Sequence, residues 1–220
     1  MLPPRATLTT VFVVDDDRPM RDSLASLFEA LELPVRAFAS AAEFRAFYRP
    51  EMPGCLLLDV RMPVQDGLQL YEQLLAEGKR LPVIFITGHA DVSTAVAAMK
   101  SGAIEFLEKP FDRHTLIDRI RKALALDAEW RRGEARYTAL EDRIRRLNER
   151  DRETLEMILA GEPNKVMAVR LAISERAVEM RRASLMKKLE VDSLAELLEL
   201  TVTHRVLSEL RTATARAELR

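Results

Sequence analysis

The chain has 220 residues, of which 48% are hydrophobic and 31% charged, and its formal net charge is −1. This composition is typical of a globular protein, and the length suffices for one or two domains that each bury a core. No apolar run approaches the length of about 18 residues that a membrane span requires, and no secretory signal is visible. The single cysteine, Cys55, excludes an internal disulfide, so we expect a reducing compartment, by default the cytoplasm.

The charges are distributed unevenly along the sequence. Residues 1–118 carry 12 basic and 17 acidic side chains, whereas residues 119–150 carry 10 basic and 6 acidic ones. Residues 165–188 then hold seven basic side chains against two acidic ones. An acidic half followed by a basic patch predicts two parts with separate tasks.

Short apolar runs alternate with helical patterns up to about residue 125. Two runs, LLLD and VIFIT, are apolar throughout, as expected of strands that are buried on both faces. The alternation predicts a parallel sheet with helices on both faces, which is a doubly wound α/β domain. The predicted strands are Val11–Val14, Val35–Phe38, Leu56–Leu58, Val83–Thr87 and Ile104–Leu107, and the predicted helices are 20–33, 41–49, 67–78 and 91–102.

Polar side chains stand at the carboxyl ends of several predicted strands, where parallel sheets bind their ligands. Asp15 and Asp16 follow the first strand, Asp59 follows the third, Thr87 ends the fourth and Lys109 follows the fifth. Two carboxylates, a main-chain carbonyl and water form a typical Mg²⁺ site, and this cation would explain why adjacent acids are tolerated. The site suits phosphoryl transfer onto a carboxylate, and the proline after Lys109 allows a cis bond that aims the lysine into it.

Simpler interpretations of these residues stay open. The acids at 15–17 could cap the next helix, and for Asp17 we prefer this interpretation because acids favour helix N-termini. Thr87 could be a filler at the strand end, and Lys109 could be a solvated surface lysine. His89, two residues after Thr87, is placed either to tune the lifetime of a phosphoryl group or simply to be exposed.

Residues 112–147 form a continuous helical pattern rich in arginine and glutamate. An early apolar face, suited to packing on the preceding domain, consists of Leu116, Ile120 and Leu124. A later face at 3–4–3 spacing consists of Tyr137, Leu140, Ile144 and Leu147. We interpret the later face as a short coiled-coil seam for a second copy, the alternative being one amphipathic helix packed on its own chain.

Four motifs together, VVDDD, LLLDVRMPVQDG, FITGHAD and FLEKPF, resemble the receiver domain of two-component response regulators over about residues 9–125. The resemblance implies a flavodoxin-like five-stranded sheet of order 2-1-3-4-5, a histidine kinase as partner and Mg²⁺ as cofactor. It also implies self-catalysed phosphorylation and dephosphorylation rather than an enzyme with a separate substrate. In the implied site Asp59 is the phosphoacceptor. The implied Mg²⁺ ligands are Asp16, Asp59, the main-chain carbonyl of Arg61 and, through water, Asp15. The implied residues for phosphate contact and switching are Thr87, Lys109 and Phe106.

The C-terminal part is helical throughout, with predicted helix starts at Asn148 and Ser174. It resembles the LuxR-type helix-turn-helix of NarL/FixJ response regulators, which implies a scaffold helix at about 164–171 and a recognition helix at about 175–189 in the major groove of double-stranded DNA. The expected DNA-contacting residues are Lys165, Arg176, Glu179, Met180, Arg182, Ala183, Lys187 and Lys188. Glu179 either accepts a hydrogen bond from cytosine N4 or pairs with Arg176 or Arg182 and contacts no base.

These patterns predict a receiver domain at 1–125, a helical linker with a possible coiled-coil seam at 126–147, and a helix-turn-helix domain with an extended last helix at 148–220. We expect a transcriptional response regulator that binds promoter DNA as a homodimer when phosphorylated. The length of the last helix suggests a dimer surface or docking onto the receiver. The alternative is a phosphorylation-dependent protein-interaction switch that binds DNA weakly or not at all, because Ala177, Glu179 and Arg181 depart from the family's usual residues.

Overall fold

The computed structural model describes residues 8–88, 96 and 98–218, and the side chains among them up to residue 209. The chain divides into two compact units, Met1–Arg131 and Arg132–Arg220. The boundary falls within the segment 126–147 that the sequence predicts as a linker. No helix in the described part of the chain is both long enough and apolar enough to cross a membrane.

The first unit is built on a five-stranded parallel sheet whose strand order, β2-β1-β3-β4-β5, confirms the predicted fold. The strands are β1 (Thr10–Val14), β2 (Val35–Phe38), β3 (Gly54–Asp59), β4 (Val83–Thr87) and β5 (Glu105–Glu108). The helices are α1 (Arg18–Glu29), α2 (Ala41–Phe47), α3 (Gly67–Ala76) and the long α4 (Arg113–Arg145), which continues into the second unit. Of the helix predicted at 91–102, residues 96 and 98–100 are helical, and 91–95 and 97 lie outside the described residues, as does His89.

The central strands are buried on both faces because alternate residues enter two different cores. Phe12 and Leu56 belong to the core under α2 and α3, whereas Val13 and Leu57 belong to the core under α1 and α4. Every residue of β3 and β4 is buried, so neither strand needs a polar face. This double burial fixes the register of the sheet and therefore which side chains emerge together at its carboxyl edge.

A buried carboxylate joins α4 to the amino end of β3. Asp127 is only 2% exposed, and its Oδ2 accepts hydrogen bonds from the main-chain nitrogen of Gly54 at 2.9 Å and from Nε of Arg131 at 2.8 Å. Arg131 also donates to the carbonyl oxygen of Met52 at 2.6 Å. The network satisfies a carboxylate that would otherwise be costly to bury, and it holds α4 on the sheet of the first unit up to the last residue of that unit.

The second unit is helical in all its described elements. Besides the last turns of α4 it contains α5 (Glu149–Leu159), α6 (Asn164–Arg170), α7 (Glu175–Leu189) and α8 (Leu194–Glu218). Both predicted helix starts are confirmed, since Asn148 forms a capping box with Asp151 and the Ser174 hydroxyl accepts from the main chain of Ala177. The core of the unit includes Leu147, Met157, Met167, Val178, Leu185, Leu189 and Leu197.

The face predicted as a coiled-coil seam lies against the interior of the second unit. Leu147 is 4% exposed within the core, and Leu140 and Ile144 pack against that core. Tyr137 stacks on His204 of α8 with ring centroids 5.9 Å apart, and His204 Nε2 lies 2.6 Å from Oε2 of Glu141. Contacts within one chain therefore cover part of this face, and its pairing with a second copy stays a prediction.

We expect Asp127→Ala to lower the free energy of unfolding of the first unit by about 3 kcal/mol, because it leaves a buried main-chain donor and a guanidinium without their acceptor. Chemical denaturation followed by circular dichroism measures the change. Asp118→Ala is the matched control, since its ion pair with Lys122 on the same helix is exposed, and it should change stability little. Equal losses in the two variants would contradict a structural role for Asp127.

Candidate functional site

Three acids meet at the carboxyl edge of the sheet because β1 and β3 are paired in register. Val14 is the register partner of Leu58, so Asp15 and Asp59 leave the sheet side by side. Asp15 is fully buried and Asp59 is 7% exposed, whereas Asp16 faces solvent. One carboxylate oxygen from each of the three acids lies within 4.8 Å of the others, which is a donor set that suits one hard cation.

Lys109 forms an ion pair with two of these acids at once. Its Nζ lies 2.7 Å from Oδ2 of Asp15 and 2.8 Å from Oδ2 of Asp59. Burial lowers the pKa of the ammonium group, but the hydrogen bonds and charges of the two acids outweigh burial and raise this pKa above its ordinary value. The main-chain nitrogen of Lys109 donates to the carbonyl oxygen of Thr87 at 2.7 Å, and the Lys109–Pro110 bond is cis, as the sequence allowed.

Besides Lys109, two further groups hold the buried residue Asp15, namely the main-chain nitrogen of Asp17 and the guanidinium group of Arg21. Burial raises the pKa of its carboxyl group, and the hydrogen bonds from Lys109 and from the main-chain nitrogen of Asp17 oppose this rise without cancelling it. Arg21, which sequence reasoning missed, donates from Nη1 to the carbonyl oxygen of Asp15 at 2.7 Å. Asp17 occupies the N-cap position of α1, but its side chain accepts no hydrogen bond from the first turn, so its capping role is limited to the backbone.

The loop after β3 folds back on Asp59. The main-chain nitrogen of Arg61 donates to Oδ1 of Asp59 at 3.2 Å and so orients the carboxylate. A Cβ atom at Gly67 would lie 2.2 Å from the carbonyl oxygen of Asp59, so a side chain at this position would collide with the backbone of the predicted phosphoacceptor. Glycine is therefore required where α3 begins.

The two predicted switch residues lie on the neighbouring strands. Thr87 ends β4 and is fully buried. Phe106 is half-buried on β5, where it is the register partner of Phe85 and packs against the core under α2 and α3. The strand order thus brings Asp59, Thr87 and Lys109 to one edge, at the ends of β3, β4 and β5, and Phe106 lies within β5 before Lys109.

An open groove of about 520 Å³ begins at Lys109 and runs between α1 and the start of α4. Its lining is mostly apolar and includes Met20, Leu27, Pro110 and Phe111. Lys109, which lines the groove, is also the residue that pairs with Asp15 and Asp59.

The predicted recognition helix α7 has the predicted bounds, 175–189. The side chains that it leaves exposed include Arg176, Glu179, Met180, Ala183 and Lys187, and Lys165 is exposed on α6. Among the described side chains, Glu179 forms no ion pair within 4.0 Å with the arginines beside it. Of the two predicted roles of Glu179, the ion pair with Arg176 or Arg182 is therefore absent among the described side chains.

Two of the predicted DNA-contacting residues have partners inside the second unit. Lys188 Nζ lies 2.6 Å from Oδ2 of Asp151. Arg182 is partly buried and donates from Nη1 to Sδ of Met167 at 3.7 Å. In these positions both side chains fix α7 on its neighbours, α5 and α6.

Comparison with known proteins finds two family models and several relatives for this chain. A family model for the response regulator receiver domain matches residues 11–121, and a model for bacterial regulatory proteins of the luxR family matches residues 145–201. The transcriptional regulatory protein FixJ of Azorhizobium caulinodans is 44% identical over 87% of this chain and 91% of its own length. The response regulator protein TodT of Pseudomonas putida is 37% identical over 88% of this chain and 85% of its own.

Solved structures agree with these sequence matches. The structure of the response regulator StyR has a TM-score of 0.85 and 42% sequence identity, and the match covers 89% of this chain and 99% of StyR. Full-length FixJ from B. japonicum matches 91% of this chain with a TM-score of 0.55 and 37% identity. The chain therefore belongs to the two-component response regulators of the NarL/FixJ type and is a phosphorylation-dependent transcriptional regulator with a receiver domain and a LuxR-type DNA-binding domain.

Proposed function

We propose that Asp59 accepts a phosphoryl group from a histidine kinase and that phosphorylation promotes binding of a homodimer to promoter DNA. The observation that carries this proposal is the double ion pair of Lys109 with the buried Asp15 and Asp59. The Asp59 carboxylate accepts hydrogen bonds from Nζ of Lys109 and from the main-chain nitrogen of Arg61, which align it. It lies at the edge of the parallel sheet where such sheets bind ligands.

The acidic cluster fits Mg²⁺ as cofactor. Three carboxylates and one ammonium group leave a formal charge of −2, which a divalent cation balances. Asp15, Asp16 and Asp59 would hold the ion with the main-chain carbonyl of Arg61, and the exposed Asp16 leaves the site open to solvent. When bound, the ion supplies positive charge to the oxygens of the transferred phosphoryl group.

The residues of the chain have distinct roles in the transfer. An Asp59 carboxylate oxygen attacks phosphorus as the bond from phosphorus to the kinase histidine breaks. Lys109 moves a hydrogen bond from the carboxylate to a phosphoryl oxygen, and the Thr87 hydroxyl donates to another. We assign Phe106 the role of moving inward together with Thr87. This movement would repack the outer face of β5 and so shift the equilibrium between two conformations of that face.

The groove beside Lys109 is our proposed docking site for the kinase. Lys109 both lines the groove and pairs with Asp59, so a partner lying on Met20, Leu27 and Phe111 would bring its phosphohistidine towards Asp59. Its apolar lining is suited to a helix of the partner, whose apolar face would be buried there.

A ridge on α8 is our proposed dimer surface, in preference to the face at 137–147, which is partly covered within one chain. The ridge consists of Leu194, Leu198, Val202 and Val206, which are 48%, 41%, 59% and 48% exposed. A spacing of four residues forms the continuous ridge that packs into the equivalent groove of another helix. The same ridge on a second copy would give a symmetric interface that excludes further copies.

In the DNA complex, α7 would lie in the major groove with Arg176, Glu179 and Met180 near its reading end. The family match supports this DNA function over the protein-interaction switch, and the free carboxylate of Glu179 supports base contact. Lys188 and Arg182 would position α7 through their internal partners, which leaves Lys165 and Lys187 as the exposed lysines for phosphates.

We expect Asp59→Asn to abolish phosphorylation by acetyl phosphate, a small donor that needs no kinase, because the amide is not a nucleophile. Intact-mass spectrometry measures incorporation. Chelation of Mg²⁺ should have the same effect on the unaltered protein. Asp17→Asn is the control for loss of an acid near the site, and full incorporation into the Asp59 variant would refute the assignment.

We expect Lys109→Ala to increase the affinity for Mg²⁺ by roughly tenfold or more, because it removes a unit charge next to two of the ion's ligands. Thermal unfolding in a Mg²⁺ titration measures this affinity. The control is Lys79→Ala, which removes an ion pair with Glu77 far along the chain from the acids. A weaker response to Mg²⁺ in the Lys109 variant would show that the ion binds elsewhere.

We expect beryllofluoride with Mg²⁺, which stands in for the phosphoryl group on Asp59, to convert a monomer into a dimer. Light scattering gives the mass. Val202→Asp should remain monomeric because it places a charge in the ridge, whereas Val169→Asp, at a 78% exposed valine outside the ridge, should still dimerise. A dimer without the mimic, or one that survives Val202→Asp, would contradict this assignment of the interface.

A further inference from the structure

We propose that Arg146 and Arg150 contact DNA phosphates beyond the C-terminal end of the recognition helix α7. The two arginines lie in the corner between α4 and α5, outside the helix-turn-helix itself. This inference deepens the proposed DNA function and rests on it.

The corner is fixed to the last turn of α7 by three contacts. Arg143 donates from Nη1 to the carbonyl oxygen of Leu189 at 3.4 Å, and its Nη2 lies 2.8 Å from Oε2 of Glu190. Lys188 pairs with Asp151 at 2.6 Å. Because a cation near the C-terminus of a helix is favourable, Arg143 also stabilises the end of α7. The corner thus has a defined place beside the recognition helix.

These contacts divide the cations at this end of α7 into two groups. Arg143 and Lys188 have acidic partners within the unit, and Arg152 donates to the carbonyl oxygen of Leu147 at 3.2 Å. Arg146 and Arg150 are exposed, and among the described side chains no carboxylate lies within 4.0 Å of either. Neither guanidinium group is therefore held in an internal ion pair, and residues 146–150 carry two positive charges against the single negative charge of Glu149.

The backbone that presents the two arginines is well ordered by its own contacts. Helix α4 ends at Arg145, so Arg146 lies in the turn. The next residue, Leu147, is buried in the core, and Asn148 closes a capping box. Arg150 stands in the first turn of α5, where the positive end of the helix dipole adds to its attraction for an anion.

Duplex DNA is the ligand that fits this position. The exposed side of α7 continues through Ala183 to Lys187, and the contacts of Arg143 and Lys188 place the corner that carries the two arginines beside this C-terminal end. A duplex carries one negative charge per about 1.7 Å of its axis, so phosphates continue past the end of a helix bound in the groove. Guanidinium groups suit phosphates because they donate two parallel hydrogen bonds. Such contacts fix register and orientation and carry no sequence information.

The test compares full-length variants on a duplex of random sequence over a salt series, with Kd measured by fluorescence anisotropy. Arg146→Gln with Arg150→Gln should make the slope of log K against log salt shallower by about 2, which is about 1 for each phosphate contact. The matched control is Arg132→Gln with Arg136→Gln. It removes the same charge from two exposed arginines of α4 near the start of the second unit, away from the corner. Its slope should equal that of the unaltered protein.

Each single variant should change the slope by about 1, which keeps the inference testable if the double variant does not fold. Selection from a random pool should enrich the same site with the double variant as with the unaltered protein. An unchanged slope, an equal change in the control pair, or a different selected site would overturn the inference and leave the DNA function standing. Absence of salt-dependent binding by the unaltered protein would instead overturn the DNA function itself.

Discussion

The ammonium group of Lys109 is the interaction on which the receiver depends. It neutralises part of an acidic cluster that strand register forces together, and without a cation these carboxylates would repel each other inside a mostly buried edge. The same arrangement is a compromise between stability and function. Lys109 balances only one of the three negative charges, so the cluster keeps a formal charge of −2, which would favour a divalent cation.

The acidic site could be predicted from the sequence because the geometry of a parallel sheet does most of the placement. Side chains that follow different strands must meet at one edge once the strands pair, so the sequence alone predicts that Asp15, Asp59 and Lys109 lie together. Asp127 could not be found in this way. It lies in a charged helical pattern, and its partner is a main-chain nitrogen 73 residues away, which no local periodicity indicates. The role of Arg21 could not be predicted for the same reason, since this arginine donates to a main-chain carbonyl group rather than to a side chain.

The second unit shows a similar limit of pattern reading. Tyr137, Leu140 and Ile144 do form an apolar face, but periodicity cannot tell which surface covers it, and α8 of the same chain does so in part through His204. Likewise, a run of basic residues gives no sign of which cations have internal partners. Lys187 and Lys188 are adjacent in sequence, yet one is exposed and the other binds Asp151, because neighbouring positions on a helix face different directions.

The stacking of Tyr137 on His204 has a consequence for protein engineering. A DNA-binding fragment cut at the limits of the luxR match, 145–201, would lack both rings and the turns of α4 that cover Leu147 and its neighbours. Such a fragment exposes apolar surface and invites self-association. Chimeras that transplant this output module onto another receiver should therefore be joined near residue 132, where the compact unit begins, and should keep the last helix at least as far as His204.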